Sequence, residues 1–103
     1  MNNRVYKIQA EYFKALSHPL RIRIVYYLKE GEKCVCQIVP YLKGEQSNVS
    51  RHLAALKRVG ILSSRKEGVS VYYKVQDGNV YKILDLTLVS VRRTVREKVA
   101  IFS

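Results

Sequence analysis

The period of the hydrophobic pattern changes at Gly60, and that change limits the fold more than any other feature of the chain. Before it, apolar residues recur every three or four positions, the spacing of helices buried on one face. After it, Val69-Ser70-Val71-Tyr72-Tyr73-Lys74-Val75 is β-branched and aromatic, as a strand should be. Beyond Asp77-Gly78-Asn79 the helical spacing returns. A chain of this kind folds as helices interrupted by one hairpin.

Val5, Ile8, Tyr12 and Leu16 predict a helix over residues 4–16. Ser17-His18-Pro19 ends it, with Ser17 or His18 free to cap the next helix and Pro19 suited to its first position. Ile22, Val25 and Leu28 give that second helix its apolar face, up to Gly31. A third helix is expected from Cys34 to Leu42, burying Val35, Ile38, Val39 and Leu42. Lys43-Gly44-Glu45 is a tight turn. A fourth helix runs from Gln46 to Val59, with Val49, Leu53 and Leu56 inward and Asn48, Arg51, His52 and Lys57 outward. Ile61–Lys66 and Val69–Val75 pair across Glu67-Gly68. Val80, Ile83, Leu84, Thr87, Val91 and Val95 mark one long final helix to about Lys98.

A short helix, a glycine turn and a polar-faced helix make a helix-turn-helix unit, and the basic hairpin behind it makes a wing. The expected fold is mostly α with a β-hairpin wing: a winged helix-turn-helix (α-α-α-turn-α-β-β-α) filling residues 1–103 as one domain. Charge agrees with that purpose. Nineteen Lys and Arg against eight Asp and Glu leave +11. So large a charge on a small body points to a polyanion, nucleic acid before membrane. No apolar run spans a bilayer, and the N-terminus lacks the apolar block of a signal peptide, so a soluble, cytoplasmic protein is expected.

Several segments, in order, resemble the ArsR-type (arsenic-resistance-repressor-like) family of winged helix-turn-helix regulators. Ala15-Leu16-Ser17-His18-Pro19-Leu20-Arg21-Ile22-Arg23-Ile24 is similar to its opening signature. Gln46-Ser47-Asn48-Val49-Ser50-Arg51-His52-Leu53-Ala54-Ala55-Leu56 is similar to its recognition helix, and Gly60-Ile61-Leu62 to the exit from it. Arg65-Lys66-Glu67-Gly68 with Val71-Tyr72-Tyr73 resembles its wing. The resemblance covers nearly the whole chain. It implies a homodimer that binds double-stranded operator DNA and represses transcription until an inducer releases it.

Residues 43–75 carry Lys43, Arg51, Lys57, Arg58, Arg65, Lys66 and Lys74 against Glu45 and Glu67. Such cations neutralise phosphates and supply salt-dependent affinity. Specificity needs short polar side chains on a helix in the major groove. Gln46, Ser47, Asn48, Ser50, Arg51 and His52 have that character, with Lys57, Arg65, Lys66 and Ser70 beside them. The amides of Gln46 and Asn48 suit adenine, and Arg51 suits guanine. His52 has a second reading, as a hydrogen-bonded packing residue. The family's recognition helix opens with a serine cap, where this chain has Glu45.

The apolar stripes of the terminal helices exceed what so small a core can use. Val5, Ile8, Tyr12, Ile83, Leu84, Thr87, Leu88 and Val91 are therefore expected in a two-fold dimer interface, the other reading being that the last helix's stripe closes the chain's own core. Cys34-Val35-Cys36 resembles the thiol pair that binds arsenic(III) or a soft metal as inducer in one branch of the family. A third thiolate of that arrangement would lie at Val39, which is apolar. No cysteine precedes Cys34, and no histidine follows His52 to build the family's C-terminal zinc site. A redox switch and buried small side chains are the other readings of the pair. On a regular helix the two thiols diverge; they converge only if Cys34 lies outside it.

Enzyme chemistry is not expected, for no acid–base pair, nucleophile set or phosphate-cradling glycine loop is visible. Two other roles fit the fold: an inducer-independent or redox-responsive DNA-binding protein, and a protein-interaction module.

Overall fold

The first three helix starts each have an identifiable chemical cause. The computed structural model describes residues 2–102, with side chains through residue 99; Met1 and Ser103 of the expected 1–103 domain lie outside the described residues. Helix α1 (Asn3–Leu16) is capped by Asn2, whose side chain accepts a hydrogen bond from the Val5 N–H. Helix α2 (Pro19–Tyr27) is capped by His18, whose Nδ1 accepts from the Leu20 N–H at 3.1 Å, with Pro19 in the first turn. A 3-10 turn (Leu28–Glu30) and Gly31 close α2.

Strand β1 (Lys33–Cys34) comes next, and the sequence pattern did not announce it. Two residues are too few to show a period. Cys34 is thus the last residue of a strand and the cap of helix α3 (Val35–Leu42), not the first residue of that helix. Gln37 Oε1 accepts from the Cys34 N–H, and Cys34 Sγ accepts from the Cys36 N–H, a capping box with sulfur as one acceptor. Lys43 takes a left-handed φ of 53° to turn the chain into helix α4 (Gln46–Arg58).

Strands β2 (Leu62–Glu67) and β3 (Ser70–Val75) form the hairpin, and β1 adds to β3 on its other edge, giving the order β1-β3-β2. Every pair is antiparallel.

The long final helix is two helices, α5 (Asn79–Ser90) and α6 (Arg92–Phe102), kinked at Val91. The Val91 and Val95 N–H groups still reach the carbonyls of Thr87 and Val91, so the chain bends without opening a loop. Thr87 Oγ1 donates to the Leu84 carbonyl, a local bond that bends helices, and β-branched Val89 and Val91 weaken the same turn.

The core lies under α4. Val49, Leu53 and Leu56 are fully buried against a cluster that includes Ile24, Val25, Leu28, Ile38, Ile61, Leu62 and Val80. Each such side chain contributes about 1.5–3 kcal/mol on burial. Ile24 fills the core position expected of Ile22, which is only half-buried. Leu84 is also in this cluster, so it closes the chain's own core and is not a free interface residue as the stripe suggested. Tyr12 and Ile83 are half-buried, whereas Val5, Ile8, Thr87, Leu88 and Val91 stay exposed.

Candidate nucleic-acid interface

Anchoring one side of α4 leaves the other side in water. Gln46, Ser47, Ser50, Arg51 and Lys57 are exposed there, and Asn48 is half-buried. Arg51 Nη2 donates to Asn48 Oδ1 at 3.2 Å, so these two polar heads are oriented together. Exposed Ala54 and Arg58 share the face. Ala54 carries no polar group for the sequence to single out, yet its small exposed side chain lets the helix approach a partner closely. Glu45 makes no side-chain cap bond. The first-turn N–H groups of α4 therefore keep the open, positive end that suits phosphate.

His52 does not share this face. It is 7% exposed. The inward stripe of Val49, Leu53 and Leu56 includes position 52 in its width, and a buried imidazole there needs a partner. Arg21 Nε donates to His52 Nδ1 at 3.1 Å, and the His18 ring lies 4.4 Å from the His52 ring, centroid to centroid. Its packing reading is the one the geometry follows. Arg21 also donates to the Ala15 carbonyl, so one guanidinium joins α1, α2 and α4.

Burial first, then the nearby charges of His18, Arg21 and Arg51, push the His52 pKa below its usual 6.5. The unfolded chain therefore takes up this proton first as pH falls. The contribution of His52 to stability is complete above about pH 6.5 and is lost as pH drops through its lowered folded value. Thermal unfolding is expected to show a midpoint that falls between about pH 7 and pH 5. In His52→Asn, which keeps an acceptor for Arg21 and loses the titration, the fall should be shallower; an unchanged slope would locate the pH dependence elsewhere.

The wing is fastened to the body at two adjacent residues of β2, Ser64 and Arg65. Lys57 Nζ donates to Ser64 Oγ at 2.7 Å, tying α4 to β2. Arg65 Nε and Nη2 grip both oxygens of Glu32 at 2.7–3.0 Å, and Nη1 reaches Glu67 at 2.6 Å. Its guanidinium also lies 4.5 Å from the Tyr72 ring centre. Hydrogen bonding to Arg65 holds the Glu32 carboxyl below its usual range. Arg65 was expected to face DNA; here its charge is balanced by two carboxylates, one of them 33 residues away in sequence. Lys66 is exposed and has no ion-pair partner among the described residues, and Ser70 is half-buried.

Cys34 is buried and Cys36 exposed, and their sulfurs are joined as a disulfide. The convergence follows from Cys34 lying outside the helix in extended conformation. The bridge borders a groove of about 410 Å³ between α3, the start of α4 and β3, lined by Val39, Pro40, Gln46, Ser50, Val71 and Tyr73 among others. Among the described residues, no three His, Cys, Asp or Glu side chains gather as a metal would need. The pair alone supplies two sulfurs, fewer than a three-thiolate arsenic site or a four-coordinate metal site takes. Among the described residues no helix is long and apolar enough to cross a membrane.

Residues 18–64 match the sequence profile of the bacterial regulatory proteins of the arsR family. An HTH-type transcriptional regulator of Methanocaldococcus jannaschii is 43% identical over 82 residues, which span 79% of this chain and 92% of that protein. The chain belongs to the arsR family. It is a DNA-binding transcriptional regulator with a winged helix-turn-helix fold. A cadmium resistance regulatory protein, a CadC homolog of Staphylococcus aureus, is 42% identical over 74% of this chain and 64% of its own length. The homodimeric winged helix-turn-helix DNA-binding domain of a possible ArsR-family regulator from Mycobacterium bovis superposes with a TM-score of 0.77 at 27% identity, over 89% of this chain and 88% of that one. Within this ArsR-family chain, the matched segment begins at the His18 cap and ends in β2, so it contains α4 and both cysteines.

Proposed function

We propose that this ArsR-family regulator is a cytoplasmic, homodimeric repressor whose grip on operator DNA is set by the Cys34–Cys36 pair. It works by binding and not by catalysis, as one domain. Gln46, Ser47, Asn48, Ser50 and Arg51 read the major groove, while Lys57, Lys66 and Ser70 hold the backbone. Two-fold pairing along the terminal helices sets two copies of α4 about one DNA turn apart. The similarity to a homodimeric DNA-binding domain supports the pairing.

One observation carries the control reading: the sulfur of Cys34 is at once the cap of α3 and the partner of Cys36. Chemistry at that atom acts directly on the start of the helix-turn-helix. Reduced, the pair is a dithiol beside a helix N-terminus, which favours the reactive thiolate. Closing the bridge takes two protons and two electrons from the thiols, and hydrogen peroxide accepts them and leaves as two waters. A metalloid is the second reading, carried by the same adjacency of two sulfurs and by the cadmium-resistance relative.

Fluorescence anisotropy on the protein's own upstream DNA, with random duplex as control, tests both. The reduced protein is expected to prefer the upstream duplex, and peroxide to weaken that binding at least about tenfold, within the range of ordinary coupling energies. Cys34→Ser should be indifferent to peroxide. Release of the reduced protein by stoichiometric arsenite would reassign the pair to a metalloid. Equal binding to both duplexes would overturn the operator reading.

A further inference from the structure

A second hollow, of about 560 Å³, lies at the other end of α4 from the thiol groove. It is enclosed by α1, the start of α2 and the last turns of α4. That is the size of a small-molecule site. Buried Ala15 and half-buried Tyr12, Ala55 and Val59 wall it with apolar surface, and exposed Ile8 carries the wall out to solvent.

Cations converge on this wall. Lys14, Arg21 and Arg58 border the hollow against a single carboxylate, Glu11. None of the four has an ion-pair partner among the described residues. Arg21 donates only to neutral acceptors, His52 Nδ1 and the Ala15 carbonyl, so its charge stays unbalanced. A surface cation is ordinarily satisfied by water, and inorganic phosphate would satisfy these three as well. Neither gains anything from the apolar wall. A carboxylate on an apolar body uses both, through charge-assisted hydrogen bonds at one end and burial at the other.

We propose that this hollow binds an organic acid, with its carboxylate at Lys14, Arg21 and Arg58 and its apolar body along Ala15, Ala55 and Val59, and that the bound acid weakens the grip on DNA. The second half rests on the operator-binding reading above. Arg58 stands at the boundary of two surfaces: it lines the hollow and shares the exposed face of α4 with Arg51 and Lys57. A guanidinium engaged by the ligand carboxylate is lost to a DNA phosphate.

Methyl NMR tests the site directly. The chain has five alanines, and two of them, Ala15 and Ala55, line the hollow. With alanine methyls labelled, decanoate kept below its aggregation concentration is expected to move the Ala15 and Ala55 signals and to leave Ala10 and Ala54 in place. Decanol, without the charge, and inorganic phosphate, without the apolar body, should move neither. Lys14→Gln or Arg58→Gln should weaken decanoate at least about tenfold. Decanol or phosphate binding as well as decanoate overturns the ligand class, and still Ala15 and Ala55 signals overturn the site. Signals that move only in the monomeric variant Leu88→Asp would mean that a second copy fills the hollow, which also overturns it. Anisotropy on the upstream duplex reads the second half. Saturating decanoate is expected to lower affinity at least about threefold and to flatten the salt slope by about one per subunit. Lys14→Gln should lose that response at the same decanoate concentration and bind the duplex within about twofold of wild type without it. An unchanged slope overturns the competition for Arg58. Failure of the operator reading shows differently, as equal binding to upstream and random duplex with the methyl shifts intact.

Discussion

Leu88→Asp is expected to convert the proposed dimer into monomers and to lower operator affinity at least about a hundredfold. Leu88 is 53% exposed on α5, and Val91, Val95 and Val99 continue the same stripe along α6. Val5 and Ile8 of α1 are exposed apolar residues as well. A carboxylate in such a seam must be buried without a partner or keep the seam open. The affinity loss is larger than the lost contact because each monomer then binds its half-site alone. Sedimentation velocity and anisotropy on the same samples check the two halves of the statement. Circular dichroism should stay unchanged, because Leu88 is outside the chain's own core. A variant that still sediments as a dimer would place the seam elsewhere.

The second large effect lies within the subunit. Leu53→Ala is expected to cost about 2–5 kcal/mol of folding stability. A domain of this size has about 5–15 kcal/mol in total. The thermal midpoint should therefore fall by roughly 10–30 °C. Leu53 is fully buried, as are Val49 and Leu56 one turn to either side, so the cavity opens under the middle of α4. The reading face would loosen along with the core. A fall of less than about 5 °C would mean that α4 is held mainly by its flanking turns.

Local chemistry explains which parts of this architecture were legible in the sequence. The His18-Pro19 cap, the α4 stripe and the change of period at Gly60 each depend on neighbouring residues, and each appears where expected. The features that escaped notice depend on residues far apart in the chain. Strand β1 exists because β3 offers it an edge. For His52 both readings were open in the sequence, and the partner that its buried imidazole needs, Arg21, lies 31 residues earlier. Arg65 spends its charge on Glu32 across a similar gap. Leu84 belongs to the same apolar stripe as Leu88, and only the packing separates the residue that closes the core from the one left exposed. For the thiols the geometric condition was legible, namely that Cys34 lie outside the helix, but the strand that satisfies it was not.

That strand links the two elements on which DNA binding depends. β1 ends at the sulfur that starts α3, and its neighbour on the sheet is β3 of the wing. A two-residue ladder is easily broken and easily remade. A disturbance at residue 34 therefore reaches the helix-turn-helix and the hairpin together, after the complex has already formed. Such a regulator would be governed through its residence time on the operator, with the rate of finding the site left nearly untouched.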